Sequence, residues 1–312
     1  LPWEKNCSKN LKVSDKENCM KKIKNIITKD KISVPQIDKI KINIDSGIFV
    51  DSCYYTGTSI DIIFGLIHIK NNFSNVKLVL DYPLTINDEI VDYYKQLGIY
   101  YKFKLEYSNF CIYWCYNKII YPTYFDNFFK NKLNEYFFII IPIAIETPNG
   151  SHANILFYNI VNKTVERFEP NGRNSPRELY FNDNLLDKLL ENKFKQIDSK
   201  IKYIRPQEYL PIIGFQILES IETNKCYKIG DPNGFCAVWC NWWIEQKLNY
   251  PDVNSKDLAL KLIEIIKIKN IKFKNLIRNY SKNITDLRDN YLKKYNKDIN
   301  DWINTNYDED FI

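Results

Sequence analysis

Three apolar runs in close succession constrain this chain most. FFIIIPIAIE (137–146) leads through Thr147-Pro148-Asn149-Gly150 into HANILFYNI (152–160), and a turn near Val161-Asn162-Lys163 gives TVERFEP (164–170). Each run has strand length and is rich in β-branched and aromatic residues. Each gap holds turn formers, so the pattern predicts an antiparallel meander. The first run, despite Pro142, reads as a strand buried on both faces. It is shorter than the ~18 uninterrupted apolar residues a membrane helix needs, and no membrane partner is expected.

Helical period frames the meander. GTSIDIIFGLIHIKNN (57–72) starts at Thr58 or Ser59 and repeats apolar residues at 60, 63, 64 and 67. INDEIVDYYKQLG (86–98) ends at Gly98, and NDNLLDKLLENKF (182–194) is helical by its period. From Asn254 or Ser255 to Ile303 everything reads helical, with Phe273, Leu276, Ile277, Tyr280, Ile284 and Leu287 at three-and-four spacing. VKLVLDY (76–82), KIKYIRP (200–206) and PIIGFQILES (211–220) read as further strands, and FCIYWCYNKIIYP (110–122) as a hairpin about Tyr116-Asn117-Lys118. Residues 1–35 are Lys-rich and weakly patterned, with Ser14-Asp15 as a candidate helix cap. With no repeat and no linker, the chain is expected to form one α+β domain around a mixed or antiparallel sheet. It divides into an N-terminal extension 1–35, a main unit 36–250 with its core motifs in 135–250, and a helical extension 251–312 packed on the core.

Composition narrows the function. A chain of 312 residues that is 45% hydrophobic, with 23 Tyr and 18 Phe, can bury a substantial core. The net charge of +6 is spread out, and only Arg167, Arg173, Arg177, Arg205, Arg278 and Arg288 carry guanidinium groups. A nucleic-acid surface favours clustered Arg with aromatics, so no nucleic acid is expected as the main partner. Eight cysteines stand at 7, 19, 53, 111, 115, 226, 236 and 240. In a chain of this length with no visible signal peptide they are expected to be reduced thiols. The Cys111/Cys115 and Cys236/Cys240 gaps do not match zinc knuckles, and His68 and His152 are the only imidazoles, so neither metal nor cofactor is expected. The chain opens on Leu1 rather than Met, as expected of a trimmed sequence in which a targeting segment would be lost to view.

Chemistry concentrates around GDPNGFCAVWCNWW (230–243). Pro232-Asn233-Gly234 cannot comfortably continue a helix, whereas Ala237 to Leu248 can. Cys236 then lies in a helix's first turn, where free N–H groups and the positive dipole end favour a thiolate. Trp239, Cys240, Trp242 and Trp243 read as the buried body of that helix. For a base, His68 sits inside an apolar-patterned helix and reads as packing. His152 instead follows Asn149-Gly150-Ser151 and opens a strand. A lone His at a strand start is usually structural, but the 152–170 hairpin brings Glu169 beside it, within reach of a carboxylate–imidazole bond. Glu166 falls near the turn, too far away. Taken alone, Glu169 would more readily be a carboxylate capping the Asn171-Gly172 turn.

A His at a strand start, a Glu in FEP-x-G at the end of the next strand, and a Cys after PNG, in that order, resemble the cysteine-peptidase clan of the adenovirus and SUMO-specific proteases. HANILFYNIVNKTVERFEPNG is similar to the first and PNGFC to the second, over roughly residues 135–250. FEPNG, GFCAVWCNWW and YYTGTSIDIIFGLI also resemble a group of proteins from large DNA viruses. The resemblance implies a papain-like core in which His152 is the base, Glu169 its orienting acid and Cys236 the nucleophile. It implies peptide or isopeptide hydrolysis, on viral precursors or on ubiquitin or ubiquitin-like modifiers, in the host cytoplasm or the virion. Helix 57–72 and segment 100–130 are the expected modifier-binding surface.

One departure stands out. The clan carries a Gln about six residues before its Cys as an oxyanion donor, and here that neighbourhood is Ile229-Gly230-Asp231. Asp231 as a carboxylate has no proton to donate, so Gln216, read on the preceding strand, is the substitute candidate. Asn154, Asn233 and Gly234 are candidates for lining the site; Ala153 replaces the aromatic that commonly follows the clan's His. Two other functions stay open: an acyltransferase with the same triad using acetyl-CoA, and a non-catalytic virion or ubiquitin-like-binding protein.

Overall fold

The computed structural model describes residues 40–42, 55–101, 104–129, 135–222 and 234–304. The candidate cap at Ser14-Asp15 and the residues Asp231 and Asn233 fall outside them. In chain order the elements are α1 (Ser59–Asn72), β1 (Val76–Leu78), α2 (Asp88–Gln96), β2 (Ile112–Cys115), β3 (Lys118–Ile120), α3 (Phe125–Phe128), β4 (Phe138–Thr147), β5 (Gly150–Asn159), β6 (Thr164–Phe168), α4 (Asp183–Ile197), β7 (Lys202–Ile204), α5 (Pro206–Tyr209), α6 (Phe215–Ile221), α7 (Cys236–Asn249), α8 (Ser255–Ile268), α9 (Phe273–Lys293) and α10 (Ile299–Asn304).

The chain is an α+β protein built on a mixed sheet in the order β3-β2-β4-β5-β6-β7, with β1 also on β4. The expected meander is its centre: β4, β5 and β6 pair antiparallel, with Ile145 opposite His152 and Ile155 opposite Phe168. β1 and β2 both run parallel to β4, the first along 138–140 and the second along 143–146. Pro142 falls between them, where this edge has no ladder partner, which suits a residue without an N–H. β2 and β3 form the expected hairpin, and its two turn residues, Tyr116 and Asn117, both take positive φ.

One reading fails. PIIGFQILES does not form a strand; from Phe215 it is the helix α6. Phe215, Leu218 and Glu219 are buried at i, i+3 and i+4, so the helical period overrides the β-prone composition. VKLVLDY is strand only to Leu78 and then turns as a 3₁₀ helix over Val79–Asp81.

Side chains alternate across the sheet. On one face Tyr158 and Phe129 meet Phe194 of α4, with ring centroids 6.3 and 5.6 Å away. On the other, α7 lies along β5, and Trp243 stacks on Phe168 at 4.9 Å and 7°. Phe215 closes on Trp239 and Trp242 at 5.5 and 5.2 Å. α7 is apolar nearly all round because it is covered all round, by the sheet, α1, α6 and α9. Asp61 of α1 and Arg288 of α9 form a fully buried ion pair, 2.6 Å long, and Asp61 also accepts from the backbone of Thr56 and Gly57. Removing one partner from such a pair costs ~3–5 kcal/mol because the other charge stays buried. α1 is thus largely enclosed, which leaves helix 57–72 little surface to offer a partner.

Candidate active site

Glu169 is the first residue beyond β6, and Asn154 stands opposite it one step past the Ile155–Phe168 pair. Its carboxylate accepts from His152 Nε2 at 2.8 and 3.0 Å, from Asn154 Nδ2 at 3.0 Å, and from the Asn171 N–H and Nδ2 at 2.9 and 3.0 Å. His152 is 5% and Glu169 1% exposed, so these bonds are made out of water, where an unpaired carboxylate would be costly. A carboxylate can only accept, so Nε2 carries the proton shared with Glu169 and Nδ1 is left for the thiol.

Cys236 is the first residue of α7, and its thiol hydrogen-bonds His152. Burial pushes this thiol up. The hydrogen bond to His152, the imidazolium charge and the backbone of Ala153 and Ala237 outweigh that and bring it below the ordinary thiol value. Burial likewise disfavours the charged imidazole, yet the Glu169 carboxylate and the bond to Cys236 raise His152 to about 10. Glu169 is held below the usual carboxylate value, since the His152 charge overcomes the cost of its burial. The three together favour a resting thiolate–imidazolium pair. Cys240 makes the contrast: burial, with no cation beside it, keeps its thiol well up, and Sγ reaches only Ala153 O at 3.5 Å.

Backbone closeness fixes the rest. The turn at Asn171-Gly172 docks on the loop before α6, through Gly214 N to Asn171 O (2.8 Å), Gln216 N to Pro170 O (3.0 Å) and Arg173 N to Pro211 O (2.7 Å). A Cβ on Gly214 would stand 2.3 Å from Gly172 N, so only glycine fits there. Gln216 is thereby tied by its backbone to the Glu169 turn. Its Nε2 lies 3.0 Å from where a Gly234 Cβ would be, and its Oε1 is buried without a hydrogen-bond partner. Of the sequence candidates, the fold groups His152, Glu169, Cys236, Gln216 and Gly234. Asn154 borders the same strand end but spends its amide on Glu169 and on Arg167.

Sequence reading missed the supports behind Glu169. Arg167 donates to Asn154 Oδ1 and grips Asp187 of α4 with two bonds, 2.7 and 2.9 Å, while Tyr203 donates to Asp187 at 2.8 Å. Phe181, 6.5 Å from the His152 ring, brings an aromatic to the imidazole that Ala153 does not. Charge in a strand bounded by apolar residues was the one available signal for Arg167. His68 packs between helices, edge-on to Tyr280 at 5.7 Å and 3.5 Å from Glu245. Among the described residues no group of three or more His, Cys, Asp or Glu could hold a metal, and no helix is long and apolar enough to cross a membrane.

A buried His–Glu pair beside a helix-start thiol is an arrangement that can activate a cysteine for nucleophilic attack. No family model matches the chain. It is 38% identical over 315 residues to a "Putative ankyrin repeat protein" of Acanthamoeba polyphaga mimivirus, an alignment covering 97% of this chain; the chain spans only 41% of that relative's length. Among solved structures it is similar to ChlaDub1 of Chlamydia trachomatis (TM-score 0.39, 12% identity, 77% of this chain and 95% of that one). It is also similar to the Chlamydia trachomatis effector protein Cdu1 bound to ubiquitin (0.32, 12%, 70% and 93%) and to the SUMO protease Ulp1 with its catalytic cysteine oxidized to a sulfinic acid (0.30, 14%, 89% and 97%). At such scores the likeness is distant, and the site's own geometry has to carry its chemistry.

Proposed function

We propose that this chain is a thiol peptidase that hydrolyses peptide or isopeptide bonds, with Cys236 as nucleophile, His152 as general acid and base, and Glu169 as the group that orients the imidazole. The observation that carries this reading is the row Cys236–His152–Glu169, with the thiol lowered and the imidazole raised. Cys236 Sγ attacks the carbonyl carbon, and His152 gives its proton to the departing amine as the C–N bond breaks. The neutral His152 then takes a proton from water, whose oxygen displaces Sγ from the thioester and regenerates the ion pair. Carbonyl oxygen charge is met by the backbone N–H of Cys236 and by the side-chain amide of Gln216, held beside Gly234. Asp231, the other candidate, has no proton to offer.

The acyl side of the substrate is assigned to ubiquitin or a ubiquitin-like modifier, the class that the His–Glu–Cys order and PNGFC imply. The catalytic unit is assigned to 36–250, with 251–312 as a helical extension. Action in a host cytoplasm or a virion accords with the mimivirus relative. The test is incubation with ubiquitin and ubiquitin-like probes carrying a C-terminal vinyl sulfone, beside Cys236→Ala. A covalent adduct that maps to Cys236 and vanishes in the variant is expected. No adduct with any probe, together with acetyl-CoA-dependent acyl transfer, would instead make the protein a transferase.

A further inference from the structure

Tyr180 is 84% exposed, and its backbone is in the left-handed region at φ 51°. That conformation is unfavourable for a bulky side chain, and a ring in water gains no burial in return, so stability does not explain a tyrosine here. Its neighbours are anchored. Asn149 Nδ2 donates to Glu178 O at 3.0 Å, Leu179 Cδ2 lies 3.8 Å from where a Gly150 Cβ would stand, and the Phe181 ring is beside His152 at 6.5 Å. One residue on, Asn182 caps α4 by accepting from Leu185 N at 3.0 Å. Tyr180 is therefore an exposed ring between anchored neighbours, one residue before Phe181, whose ring lies 6.5 Å from the imidazole.

Position sets what the ring meets. Gln216 and Gly234 flank Cys236 on the carbonyl-oxygen side. His152 must reach the departing amine, so the chain carrying that amine leaves across His152, toward Leu179–Phe181. We propose that Tyr180 is a specificity-determining residue that packs against the polypeptide bearing the departing amine; this rests on the peptidase reading. A tyrosine ring suits such contact, offering a rigid apolar face and a polar tip at little conformational cost.

The test compares two ubiquitin substrates that share their acyl part. One releases aminocoumarin; the other releases a fluorescent peptide joined through its lysine by an isopeptide bond. For Tyr180→Gly, the ratio of kcat/KM on the peptide conjugate to that on the coumarin falls about tenfold, and Tyr180→Phe restores most of it. Glycine accepts positive φ, so the folded state of Tyr180→Gly is retained and its melting temperature does not drop. An unchanged ratio in Tyr180→Gly overturns the assignment. A wild-type chain inactive on both substrates overturns the peptidase reading itself, and Tyr180's role with it.

Discussion

Two cysteines one helical turn apart, Cys236 and Cys240, are given opposite characters by what faces them. Burial raises both thiols, and only Cys236 has an imidazolium to reverse it. His152 owes its raised value to Glu169, and Glu169 can stay ionised out of water because five hydrogen bonds from His152, Asn154 and Asn171 converge on it. Gln216 makes the sharpest prediction at this scale. On the proposed reading Gln216→Ala removes one oxyanion donor, and kcat is expected to fall by about 10²-fold while KM changes little, measured by steady-state hydrolysis of ubiquitin-aminocoumarin. A fall in KM affinity alone would make Gln216 a ground-state contact. His152 beside Glu169, and Cys236 in a helix's first turn, were legible in the sequence from a hairpin and a helix start; that Cys236 meets His152 was implied only by the resemblance. The Asn171 turn that Glu169 caps was legible too; Arg167, Asp187 and Phe181 were not, since their partners come from elements whose packing no local period encodes.

Among the elements, the long helices and the meander follow from periodicity, and the misread strand shows where the helical period overrode a β-prone composition. PIIGFQILES is rich in Ile, but Gly214 breaks the run and the residues after it are buried at helical intervals. The consequence reaches the site, because α6 begins where its backbone locks onto the Glu169 turn. Gly214→Ala forces a Cβ into the Asn171-Gly172 backbone. We expect it to destabilise the fold by ~1–3 kcal/mol, as overpacking does, and to lower activity further than the stability loss explains. Thermal unfolding alongside turnover checks this; an unchanged melting temperature would mean the 169–172 and 211–214 backbones are not in contact.

Across the whole molecule, the sheet order is the feature the sequence concealed most completely. Nothing local says that β1 and β2 share one edge of β4, or that β7 runs parallel to β6. The helix α9 is equally non-local: Arg288 reaches back to Asp61 in α1, and both helices wall in α7. That enclosure holds α7, whose first residue is Cys236, along β5, the strand that carries His152. The central claim is that this fold makes Cys236 a thiolate through His152. It is tested most directly by the rate of Cys236 alkylation with iodoacetamide against pH, located by peptide mass spectrometry, in the wild-type chain and in His152→Ala. The sign follows from the shifts. With the thiol lowered and the imidazole raised to about 10, the ion pair exists between those two values, so the wild-type rate reaches its plateau below the pH at which an ordinary thiol ionises. Without His152 only burial and the backbone remain, the thiol rises, and the rate at pH 7 falls, since less of the thiol is then ionised. A wild-type rate still climbing through pH 9, or a His152→Ala curve that overlays it, would contradict the account.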